Sequence, residues 1–295
     1  MKIAIAGGTG FIGKHLSAYL SKQGHDIIIV SRSSGGLMNG LPIISWSELE
    51  TEPRELDAIV NLAGASINKK WSPAYKREIL QSRLEAAERI SKLVATMDRK
   101  PKVVVNSSGI SFYGNSDTEE FDERSKSSGI GFLEEVAIEW EKAADRIRHT
   151  RVVKLRTGIV LATDGGALPL MLLPFKLFTG GRVGSGKQWI SWIHINDICR
   201  LIEFCILNPQ LNGPVNAVSP HAVTNEVFSQ TAARVLNRPN WFPVPAFLLK
   251  IIFGEMATLL LDGQKVLPSV ALENGFQFKY SRLNEALSAL LKNSM

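Results

Sequence analysis

The sequence predicts an α/β protein built on buried parallel strands, and two observations carry this expectation. The chain opens with KIAIAGGTGFIG at residues 2–13, where the apolar run 3–6 is followed by glycines spaced G-x-x-G-x-x-G. A helical apolar period then continues over residues 14–20. Further apolar strands are predicted at 26–30, at 57–62 and from 102 to 106, with a long helical pattern over 71–97 between the last two.

The glycine turn after the first strand points to an anionic ligand. Such a turn brings backbone N–H groups and the positive end of a helix dipole against a pyrophosphate. Gly7 allows the tight turn, Gly10 lets the backbone approach the phosphates, and Gly13 lets helix and strand pack closely. We therefore expect dinucleotide binding here, the alternative being a strand–helix turn that binds nothing.

The tip of the second strand bears on which dinucleotide is bound. NAD specificity usually requires an acidic side chain there, which accepts hydrogen bonds from the ribose 2′-hydroxyl. This chain has Ser31 and Arg32 instead. A guanidinium at position 32 can pair with a 2′-phosphate, which favours NADP(H). The alternative is that Arg32 is only a solvated loop cation.

Composition limits the remaining classes of function. Across 295 residues, 45% are hydrophobic and 21% are charged, as in an ordinary soluble globular protein. The net charge of +6 is scattered, so we expect no nucleic-acid partner, and no apolar run is long enough to span a bilayer. Cys199 and Cys205 lack metal-ligand spacing. We expect a cytoplasmic protein without signal peptide or metal, and leave its oligomeric state open.

Several motifs resemble those of the extended short-chain dehydrogenase/reductase superfamily. They are the glycine loop 7–13, the run NLAG at 61–64, and the stretch from the serine pair 107–108 to the Tyr-Gly pair 113–114. Later motifs narrow the resemblance to the group called the epimerase family, the SDR39U1-type proteins. These motifs are RTGIVL at 156–161, WIHIND at 192–197 and a tail over 254–276.

The resemblance implies a Rossmann-type doubly wound parallel sheet that binds NADP(H), with a smaller, mostly helical C-terminal substrate lobe. It implies a cofactor domain over 1–162, to which 189–218 return, and a substrate-side lobe over 163–188 and 219–295. From the residues alone, Glu78 and Arg83 are either surface charges or ligand contacts, and only the resemblance favours contacts. The implied cofactor contacts are Gly7, Thr9, Gly10, Phe11, Ile12, Gly13, Ser31, Arg32, Leu62, Ala63, Gly64, Glu78, Arg83 and Val160.

The catalytic pair of the superfamily is absent. Its reductases and epimerases use Tyr-x-x-x-Lys on one helix, where the lysine lowers the tyrosine pKa. The residues four positions after the four tyrosines are Gln23, Ile79, Asp117 and Asn284. Ser108, which resembles the superfamily's substrate-orienting serine, and Tyr113 remain candidates for direct chemistry. The prediction is an atypical oxidoreductase or nucleotide-sugar epimerase-like enzyme on a small-molecule substrate, or alternatively a non-catalytic NADP(H)-binding sensor.

The second half of the chain offers weaker indications. Residues 181–187 fit the G-x-x-x-x-G-K part of a P-loop, but Gln188 replaces the Ser/Thr that holds Mg²⁺. We interpret this stretch as a substrate-side loop, with Arg182 and Lys187 as candidate anion contacts. His194 is interpreted as a hydrogen-bonded core residue. Arg156, among apolar neighbours, either pairs with a carboxylate or points toward a ligand. A strand is expected over 189–193, a helix capped by Asp197, and a helix over 241–261 broken at residue 254.

Overall fold

The computed structural model describes residues 1–51 and 55–292. Its strands are β1 (Lys2–Ala6), β2 (Asp26–Ser31), β3 (Leu37–Met38), β4 (Leu41–Ser45), β5 (Ala58–Asn61), β6 (Val103–Gly109), β7 (Glu120–Phe121), β8 (Arg151–Thr157), β9 (Ile159–Leu161), β10 (Trp189–Ile190), β11 (Trp192–His194), β12 (Gly213–Ala217), β13 (Val223–Thr224) and β14 (Lys265–Val266). Its α-helices are α1 (Phe11–Lys22), α2 (Trp46–Thr51), α3 (Pro73–Thr96), α4 (Phe132–Ala144), α5 (Leu168–Lys176), α6 (Ile195–Leu207), α7 (Asn225–Leu236), α8 (Ala246–Phe253), α9 (Thr258–Leu261), α10 (Ser269–Glu273) and α11 (Leu283–Lys292).

The main sheet has eight strands in the order β12-β8-β6-β5-β1-β2-β4-β3. β1 pairs in parallel with β2 on one side and with β5 on the other, and β5 pairs in parallel with β6. The strand order therefore reverses at β1, which is the switch point of a doubly wound sheet. The predicted α/β fold with a parallel sheet is confirmed.

The central strands are nearly continuous apolar runs because both faces of a parallel sheet are covered. Ile3, Ile5, Val60 and Val104 are all 0% exposed. Burial of this kind contributes about 1.5–3 kcal/mol for each large apolar side chain. The same runs hold the ends of the strands in register, and those ends carry the candidate site.

The chain divides into two compact units. The first contains the described residues of Met1–Gly109, Glu135–Arg156 and Cys199–Val215, and so holds the strands from β1 to β6. The second contains those of Ile110–Glu134, Thr157–Ile198 and Asn216–Met295. Helices are its main regular structure, beside the small strand pairs β10–β13, β9–β11 and β7–β14. The predicted domain boundaries at 162 and 218 follow ligand-binding roles rather than compactness, and stay a prediction.

Three expectations about the second half need correction. The strand over 189–193 is two short strands, because the Ser191 hydroxyl between them donates to the Gln264 carbonyl and accepts from the Val266 N–H. Helix α6 begins at Ile195, before Asp197, whose carboxylate accepts from the N–H groups of residues 279 and 280. The helix over 241–261 is shorter and begins with α8, although the break at residue 254 is correct.

The described residues offer neither a membrane-spanning helix nor a cluster of metal ligands. No helix within residues 1–51 and 55–292 is long and apolar enough to cross a bilayer. In the same residues, no three His, Cys, Asp or Glu side chains are grouped to hold a metal ion. Cys199 and Cys205 are free and buried, and burial raises the pKa of both thiols to about 12. These thiols are therefore poor nucleophiles at neutral pH.

Candidate cofactor site and the groups around it

Three strands of the first unit end side by side at the carboxyl edge of the sheet. The register pairs Ala6 with Val30 on β2 and with Asn61 on β5. Beyond the last pair, the Gly7 N–H donates to the Val30 carbonyl at 3.0 Å, and the Leu62 N–H donates to the Ala6 carbonyl at 2.9 Å. The glycine turn is therefore flanked by the ends of both neighbouring strands.

The three spaced glycines meet different surroundings. Gly7 has a φ of +76°, and a Cβ there would lie 2.8 Å from the Leu62 carbonyl group. A Cβ at Gly13 would lie 2.3 Å from the Gly7 carbonyl oxygen. Both neighbours are backbone, so a side chain at position 7 or 13 is excluded. A Cβ at Gly10 would meet that same carbonyl oxygen at 3.2 Å, and apart from the adjoining backbone no other atom of the described residues lies within 4 Å, so the turn is open on this side.

Helix α1 begins on this open side without a side-chain cap. Its N-cap is Gly10, which makes no side-chain hydrogen bond, whereas Ser72 and Thr224 cap α3 and α7 with their hydroxyls. Among the described residues, no acceptor pairs with the N–H groups of Phe11 and Ile12. Unpaired N–H groups and the positive helix end favour an anion at this place. Thr9, in the same turn, is exposed.

The tip of β2 presents a cation beside the glycine turn. The Ser31 hydroxyl donates to the Ser33 carbonyl at 2.8 Å and so stabilises its own turn. Arg32 is exposed, and within residues 1–51 and 55–292 it makes no ion pair. No acidic residue stands between Asp26 and Trp46. The guanidinium of Arg32 can therefore pair with an incoming phosphate.

A second guanidinium lies beside the end of β5. Arg83 on α3 donates from Nη1 to the carbonyls of Ala65, at 3.1 Å, and Ile79, at 2.8 Å, and lies 4.9 Å from the Trp140 ring centroid. Burial lowers the pKa of Arg83 to about 10. No carboxylate of the described chain pairs with it, so an anionic ligand would relieve an uncompensated charge. A Cβ at Gly64 would lie 3.0 Å from the guanidinium carbon.

The other predicted contacts are placed less tellingly. Leu62 and Ala63 are half-buried at the end of β5, where the Ala63 N–H donates to Asn61 Oδ1 at 3.2 Å. Glu78 is exposed on α3. Val160 belongs to the second unit, where it is 7% exposed and pairs with Ile193 in the β9–β11 ladder. Their contacts with a cofactor stay predictions.

A buried polar chain lies behind the end of β6. Ser108 donates its hydroxyl proton to Glu141 Oε1 at 2.9 Å. Arg156 binds both oxygens of the same carboxylate, from Nε at 2.7 Å and from Nη2 at 2.9 Å. All three residues are at most 5% exposed. Of the two alternatives for Arg156, the structure shows the carboxylate pair. Sequence reasoning missed Glu141, although a cation within an apolar strand indicated that an acid was needed.

Tyr113 is anchored within the second unit. It is 1% exposed, and its hydroxyl donates to Asn216 Oδ1 at 2.7 Å. The ring stacks on Phe121, with centroids 5.5 Å apart. Asn216 is fixed in turn, since its Nδ2 donates to the Leu267 carbonyl at 2.8 Å. These contacts give the phenol a structural role, and its role in proton transfer stays a prediction.

His194 and the loop before it also lie in the second unit. His194 Nδ1 accepts from the Asn196 N–H at 3.0 Å, the ring stacks on Tyr280 at 3.9 Å, and burial lowers its pKa to about 4. The neutral ring agrees with its interpretation as a core residue. Arg182 lies 3.7 Å from Glu226, and Lys187 is exposed. Both stay candidates for anion contacts.

Comparison with known proteins places this geometry in a family. Residues 3–131 match the NAD dependent epimerase/dehydratase family, and residues 244–290 match a domain of unknown function, DUF1731. Epimerase family protein YfhF of Bacillus subtilis (strain 168) is 39% identical, covering 99% of this chain and 98% of that protein. A chloroplastic SDR39U1 homolog of Arabidopsis thaliana is 40% identical, covering 99% and 87%.

A solved structure extends the likeness to three dimensions. The crystal structure of human epimerase family protein SDR39U1 (isoform 2) with NADPH superposes with a TM-score of 0.94 at 37% identity, covering 99% of this chain and 100% of that one. Because relatives of this similarity cover nearly its whole length, the chain belongs to the epimerase family and carries the DUF1731 domain at residues 244–290.

Proposed function

We propose that this chain binds NADP(H) at the carboxyl edge of the main sheet. The proposal rests on the start of α1, which no side chain caps and where the glycine turn leaves N–H groups unpaired. The end of β2 beside it has no acidic residue. Phe11 and Ile12 would hold phosphate oxygens with their N–H groups, and Arg32 would hold the 2′-phosphate. The NADPH in the human relative's structure supports this choice. When bound, the nicotinamide would supply hydride transfer.

The reaction we propose is an oxidoreduction or epimerisation that proceeds without a Tyr-Lys pair. Asn106 on β6 pairs with Asn61 at the end of β5, and Ser108 lies two residues further along β6. Ser108 therefore lies at the same carboxyl edge of the sheet as the glycine turn. Its hydroxyl proton is already donated to Glu141, and Arg156 occupies both oxygens of that carboxylate. Ser108 therefore offers lone pairs rather than a proton. We infer that the substrate group meeting Ser108 is a hydrogen-bond donor, as an alcohol is.

A non-catalytic sensor is the second candidate. The observation that favours it is that both candidate hydroxyls already donate within the protein, Ser108 to Glu141 and Tyr113 to Asn216. Such a protein would bind NADP(H) without moving a proton. Its expected signature is saturable NADPH binding with no substrate-dependent change in nicotinamide absorbance.

Two measurements test these proposals separately. Calorimetric titration of NADPH tests binding. Turnover of NADP⁺ with alcohols and sugar nucleotides, and of NADPH with aldehydes and quinones, tests the reaction. An active enzyme should lose turnover in Ser108→Ala while its NADPH affinity stays unchanged, because Ser108 touches substrate rather than phosphate. Binding without turnover on any of these substrates would support the sensor instead.

A further inference from the structure

The second unit exposes an unusual number of large apolar side chains around α8. Trp241 is 75% exposed, Phe247 61%, Ile251 76% and Ile252 69%. Leu249 is the one residue of this eight-residue helix that is buried. We call the following set the apolar face: Leu177, Phe178, Trp241, Phe242, Phe247, Leu248, Ile251, Ile252 and Phe253.

Backbone hydrogen bonds join the parts of the apolar face. The N–H groups of Trp241 and Phe242 both donate to the Gly180 carbonyl, at 2.9 and 3.1 Å, and the Val244 N–H donates to the Arg182 carbonyl at 2.8 Å. The segment after α5 therefore runs beside the segment that leads into α8. The apolar side chains of both segments belong to one surface rather than to scattered positions.

The area of this surface suits a protein partner. Aromatic side chains have about 150–250 Å² each to bury. Five of them on the apolar face, at 44–75% exposure, leave on the order of 600 Å² in water, before the aliphatic residues are added. The largest patch on a typical monomer is about 300–600 Å², whereas a stable interface buries about 800 Å² per partner. The apolar face therefore has the size of an interface.

The charges around the apolar face indicate whether its partner is a membrane or a protein. Two of the cations are engaged within the unit: Arg182 lies 3.7 Å from Glu226, and Arg238 lies 4.4 Å from the Phe178 ring. Burial raises the pKa of Asp262, and the positive charge of nearby Lys250 works in the opposite direction. An anionic bilayer requires an uncompensated row of cations, which this rim does not provide. The exposed charged residues on and beside these segments are Lys176, Arg182, Lys187, Arg238 and Lys250 against Glu226, Glu255 and Asp262. A rim of mixed charge suits contact with an identical rim.

We propose that the apolar face is the surface through which a second copy of this chain binds, in a two-fold dimer. A two-fold axis brings the same patch of both copies together, so each α8 covers the other. Aromatic residues and arginine, which are enriched here, are the residue types typical of such interfaces. The proposal is independent of cofactor binding and of the reaction.

Analytical ultracentrifugation of the full chain tests the proposal, with Ile251→Asp/Ile252→Asp as the disrupting variant. We expect the wild type to sediment with twice the mass of the 295-residue chain at 10 µM. The variant should dissociate at least about a hundredfold more readily, since two apolar anchors are replaced by like charges. The matched control is Ile130→Asp, at a position that is 80% exposed and outside the apolar face, and it should remain dimeric.

Other outcomes would overturn the dimer. A wild type that is monomeric at 100 µM contradicts it, and this result needs no variant to fold. A dimer that resists Ile251→Asp/Ile252→Asp, in a variant with wild-type circular dichroism, places the interface elsewhere. A monomer that co-sediments with vesicles of three parts phosphatidylcholine to one part phosphatidylglycerol assigns the face to a membrane surface instead.

Discussion

The carboxylate of Glu141 should be the most costly buried group of the first unit to remove. In Glu141→Ala, Arg156 keeps its charge at 4% exposure but loses both hydrogen bonds to that carboxylate, and Ser108 loses its acceptor. Breaking one side of a buried pair costs about 3–5 kcal/mol. Lys154, 3.8 Å from the same carboxylate, keeps a second partner in Asp145 at 3.0 Å, so it is not left unpaired. A domain of this size loses about 2–4 °C of Tm per kcal/mol, so we expect a fall of at least about 6 °C.

The double variant Glu141→Leu/Arg156→Met separates this explanation from simple loss of packing. Removing both charges leaves no uncompensated ion, and the apolar replacements fill similar volume. Its free energy of unfolding should therefore lie within about 2 kcal/mol of the wild type and above that of Glu141→Ala. Urea unfolding followed by far-ultraviolet circular dichroism measures all three proteins. A loss below about 1 kcal/mol in Glu141→Ala, or a double variant less stable than it, would refute the desolvated-pair reasoning.

Three further predictions concern the glycine turn and the second unit. Gly13→Ala should lower Tm, because its Cβ would lie 2.3 Å from a backbone oxygen, whereas Gly10→Ala, with its nearest atom at 3.2 Å, should fold and weaken NADPH binding. A thermal melt measures the first effect and a calorimetric titration the second. Equal melting temperatures of the two variants would contradict this prediction. The pKa of His194 is about 4 in the folded protein and about 6.5 in the unfolded chain, so the unfolded chain binds the proton first as the pH falls. The free energy of unfolding should therefore fall by about 2 kcal/mol between pH 7 and pH 5. In urea unfolding, His194→Gln should flatten this dependence of the free energy of unfolding on pH, whereas His221→Gln, at an exposed histidine, should not. The same pH dependence in both variants would show that another group titrates. Tyr113→Phe should lower stability by about 1–3 kcal/mol, because Asn216 Oδ1 loses its donor, and a wild-type value would argue against this anchor. If Tyr113 also donates the proton, turnover should fall by at least about a hundredfold.

Local pattern was enough to predict the parts of the fold that depend on neighbours in sequence. The apolar runs of β1 and β2 and the glycine spacing after β1 lie within one strand–turn–helix–strand unit, and they predicted the sheet edge at which the candidate site lies. The missed features depend on distant partners. Glu141 reaches Arg156 and Ser108 from a separate helix, and Asn216 holds Tyr113 across 103 positions. No periodicity of 2 or 3.6 residues encodes such pairs.

The broken strand at Ser191 has the same cause. Its hydroxyl bonds to Gln264 and Val266, more than 70 positions away, and this contact interrupts an apolar run that by itself predicts one continuous strand. The absent Tyr-Lys pair is the opposite case. The sequence alone shows that this pair is missing. The contacts among Ser108 on β6, Glu141 on α4 and Arg156 on β8 are seen only in the folded structure.

Titration of NADPH and NADH into the wild type tests the central claim most directly. Because Arg32 is exposed, unpaired within the described chain and unopposed by an acid, we expect NADPH to bind about tenfold to a hundredfold more tightly than NADH. Arg32→Ala should remove this difference, and Arg148→Ala, at another exposed arginine of the first unit, should retain it. Equal affinities for the two dinucleotides in the wild type, or no binding of either, would contradict the account.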